Sequence, residues 1–551
     1  MTSQPDLIAG RAPDRRYEGA GRIPFRVRIG VTGHRTLEDE EGVSASVAAT
    51  LREIRAVFAE RSVTPICFTI LSALAEGADR LVVRQAFAVL GDDVRVEAVL
   101  PRDADDYKED FASAASKREF DELLAGATTW SVPVNLSPTE GYERAGRYVV
   151  DRSDLLVAVW DREPARGRAG TAEVVAYARS RNRPVLVVQA RPEGAAAAAS
   201  APFDPASLGL HHMPASLRRL EQYNSGSLRT AAFRRGLAEE WSRLARRLEG
   251  SPIRADVERA AAWALPRFVR AEVRALRFQR AYYALGDLLY VLAALAVTAV
   301  AAQSGFAPEH TKLVAVEIAF LLLVIAVFLT ARFGHIHERW MGYRSLAEAF
   351  RSALFIMLTG ARDRSDRDGT ADLRAHHEPW YQRAFSESWS RRPSTGGTIE
   401  DDAALRQFVM DAWLEDQIEY HRRTAHSCSV RHRRISLTVA ALATAALLVA
   451  VLHFFDVGEG THWPKWFTFL AIALPGFGAA VTGIREHRQF RLHGTRSTRT
   501  ADRLQRLKDQ IETGARVVSV QGLAAEIQTI ILQESVEWFG VQEFQELEMV
   551  M

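Results

Sequence analysis

Apolar positions follow two different patterns along this chain. Residues 283–303, 313–332, 435–455 and 467–484 are nearly unbroken runs of Leu, Ile, Val, Ala and Phe, each long enough as a helix to cross a hydrocarbon core of about 30 Å. They predict four transmembrane helices. Between residues 25 and 190 the pattern changes. Short β-branched runs at 25–31, 65–71, 94–100, 129–134, 154–160 and 184–189 alternate with helical stretches at 43–60, 78–90, 107–125, 142–150 and 171–180. Apolar runs of this length suit parallel strands buried on both faces. The alternation predicts an α/β fold, a Rossmann-like doubly wound parallel sheet, followed by an α-helical membrane region.

Charge orients the membrane part. Arg270, Arg274, Arg277 and Arg280 precede the first apolar run, and Arg332, Arg339 and Arg344 follow the second. Arg422, Arg423, Arg431, Arg433 and Arg434 precede the third, and Arg485, Arg488 and Arg491 follow the fourth. The short connections 304–312 and 456–465 hold one Lys each, offset by Glu309, Asp456 and Glu459. The positive-inside rule then predicts two hairpins with both termini and the central segment cytoplasmic, in a multi-pass protein of the inner membrane.

Bulk composition hides this division, because 25% charged residues, 48% apolar residues and a net charge of +2 would also suit a soluble protein. Two cysteines, Cys67 and Cys428, exclude a disulfide framework. No metal site is expected, since the run His376-His377-Glu378 lacks the one-turn spacing that puts two imidazoles on one helix face. Arginines cluster at the membrane boundaries rather than on one face of a folded module, which argues against a nucleic-acid reader. Residues 1–24 are polar, lack an apolar signal-peptide core and read as a disordered leader.

In a doubly wound sheet, ligands sit outside the carboxyl ends of the strands. After the first strand comes Gly30-Val31-Thr32-Gly33-His34-Arg35, two glycines that allow close backbone approach followed by an imidazole and a guanidinium. Glu76-Gly77-Ala78-Asp79 follows the second strand and opens a helix, whose free N–H groups favour an anion. Arg102 lies after the third strand. Asp161 ends the fifth, and Gly167, Gly170, Thr171 and Glu173 lead into another helix, a second candidate phosphate cradle. Asp151 and Asp154 fall at the opposite end of the fifth strand and read as structural. No GxxxxGK[ST] motif is present, which argues against P-loop hydrolysis.

Four stretches carry a resemblance: GVTGHR at 30–35, LAEGADRLV at 74–82, the LP…DDYKEDF pattern at 100–111, and SDLLVAVWD with GRAGTAEVV at 153–175. Together they resemble the SLOG superfamily, the Rossmann-like group that includes LOG phosphoribohydrolases, DprA-type proteins and the cytoplasmic nucleotide-sensing region of melastatin-type channels. The resemblance implies a nucleotide or nucleotide-derived ligand held by Gly30, Thr32, Gly33, His34, Arg35, Glu76, Gly77, Asp79, Arg102, Asp161, Gly167, Gly170, Thr171 and Glu173, with no other cofactor. Glu173 lies two residues after Thr171, where the LOG enzymes have their catalytic Glu three residues after the Thr. In the membrane part, Arg339-Trp340-Met341-Gly342-Tyr343-Arg344-Ser345-Leu346-Ala347-Glu348 and Asp416-Gln417-Ile418-Glu419-Tyr420-His421 resemble the SLATT group. These are two-span modules that accompany SLOG domains in bacterial conflict systems.

The expected organisation is a leader (1–24), a SLOG-like domain (25–190), a linker (191–216), a helical region with the first hairpin (217–360), an unassigned polar segment (361–410), the second hairpin (411–494) and C-terminal helices (495–551). Asp287 and Glu317 fall within spans, where ionisable groups mark a polar path or an interhelical contact. Gly476, Ala480 and Gly483 would allow close helix approach in an oligomer. The expected function is a nucleotide-sensing membrane effector acting on the lipid bilayer as a homo-oligomer. The alternatives are a tethered nucleotide-processing enzyme, with Glu173 as acid/base or nucleophile, and a scaffold that binds no nucleotide.

Overall fold

The computed structural model describes residues 22–59, 63–91, 93–132, 136–163, 170–190, 214–226, 230–307, 309–310, 312, 314–361, 379–393 and 402–542, with side chains to 533. Most of the leader, most of the 191–216 linker and much of the polar segment therefore lie outside the described residues, but Ile23, at the end of the expected disordered leader, is fully buried and its N–H donates to Asn224 Oδ1 (3.0 Å). The N-terminal elements are β1 (Phe25–Gly33), α1 (Glu40–Ala59), β2 (Ile66–Ser72), α2 (Ala78–Leu90), β3 (Val94–Leu100), α3 (Ala104–Lys108) and α4 (Ala114–Ala125). There follow β4 (Thr128–Ser131), α5 (Pro138–Arg152), β5 (Leu155–Trp160), α6 (Thr171–Ser180), β6 (Val185–Gln189) and α7 (Ala215–Asn224). The remaining helices are α8 (Ala231–Arg246), α9 (Arg254–Phe306), α10 (Val314–Phe333), α11 (Ile336–Thr359), α12 (Trp380–Ser390) and α13 (Asp402–Val409). A π-helical turn, Met410–Glu415, joins α13 to α14 (Asp416–Phe454), and α15 (Trp463–Arg488), α16 (Phe490–Glu512) and α17 (Val520–Gln542) complete the chain. The fold is made of two compact units, Arg15–Ser227 with Asp368–Arg392, and Leu228–Arg367 with Pro393–Met551.

In the α/β unit six parallel strands run in the order β4-β3-β2-β1-β5-β6. The central strands are buried on both faces, as their unbroken apolar runs require. β4 is a short, largely exposed edge strand, which limits pairing with other chains. Trp130 on this edge stacks on Tyr148 of α5 with ring centroids 3.9 Å apart. One face of the sheet packs Leu71, Val99, Leu156 and Ala158 against Val149 and Val150 of α5 and Val175 and Ala178 of α6. Each buried Leu or Val among them contributes roughly 1.5–3 kcal/mol. A Cβ on Gly30 would stand 2.9 Å from Val149 Cγ1, so this glycine lets α5 lie against the sheet.

Local signals set the helix starts. Ser137 and Glu140 form a capping box with Pro138 in the first turn of α5. The single helix expected over 107–125 is instead two, with Asp103 capping α3 and Ser113 capping α4. The break lets Phe111 pack edge-on to Tyr107 (5.0 Å) and against Phe120 (5.1 Å). The polar segment, unassigned from sequence, contains α12, which belongs to the α/β unit.

Four helical stretches, Arg254–Phe306, Val314–Thr359, Asp402–Phe454 and Trp463–Glu512, are long and apolar enough to cross a membrane. At 1.5 Å per residue the 53-residue α9 is about 80 Å long, so it extends far beyond a hydrocarbon core. Leu322, Leu323, Leu437, Leu447 and Leu448 point outward, a placement that suits lipid and not water. The second and fourth spans each end at a non-glycine residue in the left-handed region, His335 (φ 47°) and Gln489 (φ 47°), which separates α10 from α11 and α15 from α16. The small residues of α15 pack within the chain: a Cβ on Gly476 would meet Val297 of α9 at 3.1 Å, and one on Gly483 would meet Tyr290 at 2.3 Å. The close approach expected in an oligomer is here intramolecular.

Candidate functional site

The strand order reverses at β1, which pairs with β2 on one side and β5 on the other. Helices leave the carboxyl ends of these strands towards opposite faces of the sheet, which opens a crevice there. It is a cavity of about 440 Å³, walled by the β1 loop, the start of α2, the end of β5, the start of α6 and residues of α3 and α5. Of the residues singled out from sequence, Thr32, Gly33, His34, Arg35, Asp79, Asp161, Gly170 and Thr171 line it.

The β1 loop is held by backbone bonds. His34 N–H donates to Val159 O (3.2 Å), and Ala78 N–H donates to His34 O (3.0 Å). Gly77 (φ 78°) makes the latter approach possible, since a Cβ there would lie 2.3 Å from Arg35 O. His34 Nε2 is 3.2 Å from Asp161 Oδ1 and 3.3 Å from Asp161 N. The pair ties the β1 loop to the end of β5. Arg35 donates to Tyr142 Oη (2.9 Å) with its guanidinium over the ring, and Tyr142 donates to Asp110. A guanidinium stacked in this way keeps further donors for an anion.

At the far wall Gly170 is the N-cap of α6 and makes no side-chain cap bond. Thr171 and Ala172, the first two residues of that helix, line the cavity, and N–H groups at these positions have no intrahelical acceptor. Asp79 is buried at the floor. Its carboxylate accepts from Ser72 Oγ (3.0 Å) and from the backbone at Ala73 and Ala75. Burial outweighs these bonds and pushes its pKa up to about 6.

Tyr107 of α3 is fully buried, lines the cavity, and its hydroxyl has no hydrogen-bond partner among the described residues. Burial pushes its pKa up as well, so the group is a neutral donor. Thr139, Tyr142, Gly146, Trp160 and Glu163 also line the cavity. None of these six, Tyr107 included, is among the site residues expected from sequence. Tyr107 stood inside the DDYKEDF pattern as a helix start, and only its packing leaves the hydroxyl buried without a partner.

Other singled-out residues lie elsewhere. Gly30 is inside β1 and serves helix packing. Glu76 accepts from Ala112 N–H (3.0 Å) and Ser116 Oγ, tying the β2 loop to α4; burial would raise its pKa, and these bonds bring it below the usual carboxylate range. Arg102 pairs with Asp110. Gly77 acts through its backbone, and Glu173 sits in the first turn of α6 without lining the cavity. Gly167 lies outside the described residues. In the membrane unit Asp287 pairs with Arg488, its Oδ1 3.2 Å from Arg488 Nε, so it is an interhelical contact between α9 and α15. Glu317 is in the first turn of α10. No cluster of His, Cys, Asp and Glu that could hold a metal occurs among the described residues.

Comparison with known families places the second hairpin. Residues 410–538 match SLATT_1, the SMODS and SLOG-associating 2TM effector domain 1. The matched segment begins at the π-helical turn, takes in α14, α15 and α16, and ends within α17. Its first turn is anchored where Trp413 stacks on Phe355 of α11, with ring centroids 4.6 Å apart and planes 6° from parallel. No curated protein matches the chain.

Proposed function

We propose that this protein is a nucleotide-sensing membrane effector. Its SLOG-like α/β unit binds a nucleotide or nucleotide-derived signal in the β1/β5 crevice, and binding shifts the SLATT-containing helical unit towards a pore-like or membrane-perturbing state. The observation that carries the reading is the convergence of the α6 N-terminus, Arg35 and the unpartnered Tyr107 hydroxyl on one crevice at the strand-order reversal. Phosphates would rest against Gly170, Thr171 and Arg35, with Tyr107 donating to the buried part of the ligand. The SLATT match supports the output half. The arginine-rich flanks support an inner-membrane location with both termini cytoplasmic, and the outward apolar faces leave room for a homo-oligomer.

A route for coupling is present in the chain order. Helix α12 lies in sequence between the two hairpins and docks on the amino-terminal side of the sheet through Arg383 and Glu387. A switch of this kind needs differential binding: moving the equilibrium from 1:99 to 99:1 takes about 5.5 kcal/mol. The test is dye release from vesicles holding the full-length protein, with a panel of nucleotides, ADP-ribose and cyclic oligonucleotides. At least one should increase release, Gly170→Val should suppress the increase, and the ligand should be recovered chemically unchanged. Release indifferent to every bound ligand would defeat the coupling, and recovery of free base would favour the enzyme.

A further inference from the structure

The helical unit contains a second cavity, of about 590 Å³, enclosed mainly by α9, α11, α14 and α16. It lies where the apolar runs end: Tyr283 opens the first span, and Arg488 follows the fourth. Five arginines and three carboxylates line it. Each carboxylate has an arginine within ion-pair distance, although Glu272 Oε2 makes no hydrogen bond among the described residues. Asp287 pairs with Arg488, Glu348 with Arg344 and Arg351, and Glu272 Oε2 is 3.5 Å from Arg344.

Three lining arginines, Arg280, Arg431 and Arg496, have no carboxylate within ion-pair distance among the described residues. They come from three different helices, α9, α14 and α16. Three buried nitrogens in the residues lining this cavity make no hydrogen bond among the described residues: His421 Nδ1, on a side chain only 4% exposed, His493 Nε2 and Arg496 Nη1. Leaving such groups unsatisfied is costly, about 1–3 kcal/mol each and more where the group is charged. Five arginines against three carboxylates give this cavity an excess of positive charge, with unsatisfied nitrogens in its wall.

We infer that this cavity binds a phosphate group, held by Arg280, Arg431 and Arg496 with His421 at its floor. Donors arriving from three helices suit the tetrahedral array of phosphate oxygens, whereas a carboxylate offers two oxygens in one plane. The volume exceeds what a lone phosphate needs, and Leu276, Ala284 and Trp340 supply apolar wall for the remainder of the molecule. The phosphate is that of a lipid headgroup or of a soluble phosphate ester. The site is separate from the β1/β5 crevice and does not depend on the reading of it.

The experiment measures binding to the full-length protein in detergent by native mass spectrometry, with phosphatidylglycerol, diacylglycerol and glycerol 3-phosphate as probes. Phosphatidylglycerol retained while glycerol 3-phosphate fails to compete identifies a lipid headgroup, and competition by glycerol 3-phosphate identifies a soluble ester. The double variant Arg431→Gln/Arg496→Gln should weaken phosphate binding at least tenfold, and His421→Phe severalfold. The control Arg433→Gln/Arg434→Gln alters neighbouring charges that do not line the cavity and should bind as the wild type does. Diacylglycerol bound as tightly as phosphatidylglycerol, no binding of either phosphate probe, or equal losses in the control and the Arg431/Arg496 variant would overturn the inference.

Discussion

Arg383 donates to both carboxylate oxygens of Asp154 across 229 positions of sequence, with Nη1 2.8 Å from Oδ1. Its guanidinium also lies 4.3 Å from the centre of the Phe25 ring. Beside it Arg26 Nε donates to Glu387 (2.7 Å), and Arg391 pairs with Asp93. A short helix encoded between two membrane hairpins is thereby fastened beneath the sheet.

This fastening predicts a pH dependence. Burial would raise the pKa of Asp154, and Arg383 overrides it and holds the group below its ordinary value; Arg26 does the same for Glu387. Carboxylates with depressed folded pKa values stabilise above the unfolded value of about 4, and that contribution is lost as pH falls through the folded value. The melting midpoint of the α/β unit should therefore drop steeply below about pH 4. Arg383→Ala should cost roughly 3 kcal/mol at pH 7 by leaving Asp154 buried without its ion pair, and should flatten the acid limb. Melting midpoints between pH 3 and 7 check both effects.

Asp79 predicts the opposite slope. Its folded pKa of about 6 lies above the unfolded value, so the folded state holds its proton longer. Between about pH 4 and pH 6 stability should fall with rising pH, by roughly 3 kcal/mol for a shift of about two units. Asp79→Asn should remove this slope while leaving the loss below pH 4 intact. Melting midpoints of the two proteins at pH 4, 5, 6 and 7 separate the contributions.

Tyr107→Phe should trade binding for stability. Removing a buried hydroxyl that lacks a partner is expected to stabilise the α/β unit by about 1 kcal/mol. If the hydroxyl donates to the ligand, affinity should fall about fivefold or more in the same variant. Calorimetric titration alongside thermal melts reads the two changes, and a variant that gains neither stability nor weaker binding would place the hydroxyl outside the site.

The Asp287–Arg488 pair predicts a charge-swap result. Either Asp287→Arg or Arg488→Asp alone sets like charges together between α9 and α15 and should lower the melting midpoint in detergent. The double swap should recover most of the loss. Failure of the double swap to recover would mean that the surrounding His487 and Tyr283, and not the pair itself, require the native arrangement.

Much of the architecture was legible because its physical causes are local. A hydrocarbon solvent demands about twenty contiguous apolar residues per helix, and strands buried on both faces must be apolar throughout, so both patterns stand in the sequence. The loops at the strand ends could likewise be found, and Thr32, Gly33, His34, Arg35, Asp79, Asp161, Gly170 and Thr171 meet in one crevice. Other choices were set by partners distant in sequence. Glu76 and Arg102 look like ligand contacts in a loop until α4 and Asp110 claim them, and Tyr107 looks like a helix start until packing leaves its hydroxyl buried without a partner.

Helix α12 marks the same boundary. Its apolar positions, Trp380, Tyr381, Ala384, Phe385 and Trp389, recur at helical spacing but name no partner, and the groups that hold it, Arg26, Asp93 and Asp154, belong to strand ends some 230 to 360 positions earlier. Composition and periodicity alone establish a parallel α/β sheet and four helices able to span a bilayer. Which charges pair, which donors stay unsatisfied, and that a segment between two hairpins folds onto the first domain are decided by packing, since hydrogen-bond and ion-pair partners are chosen by distance in space and not by order along the chain.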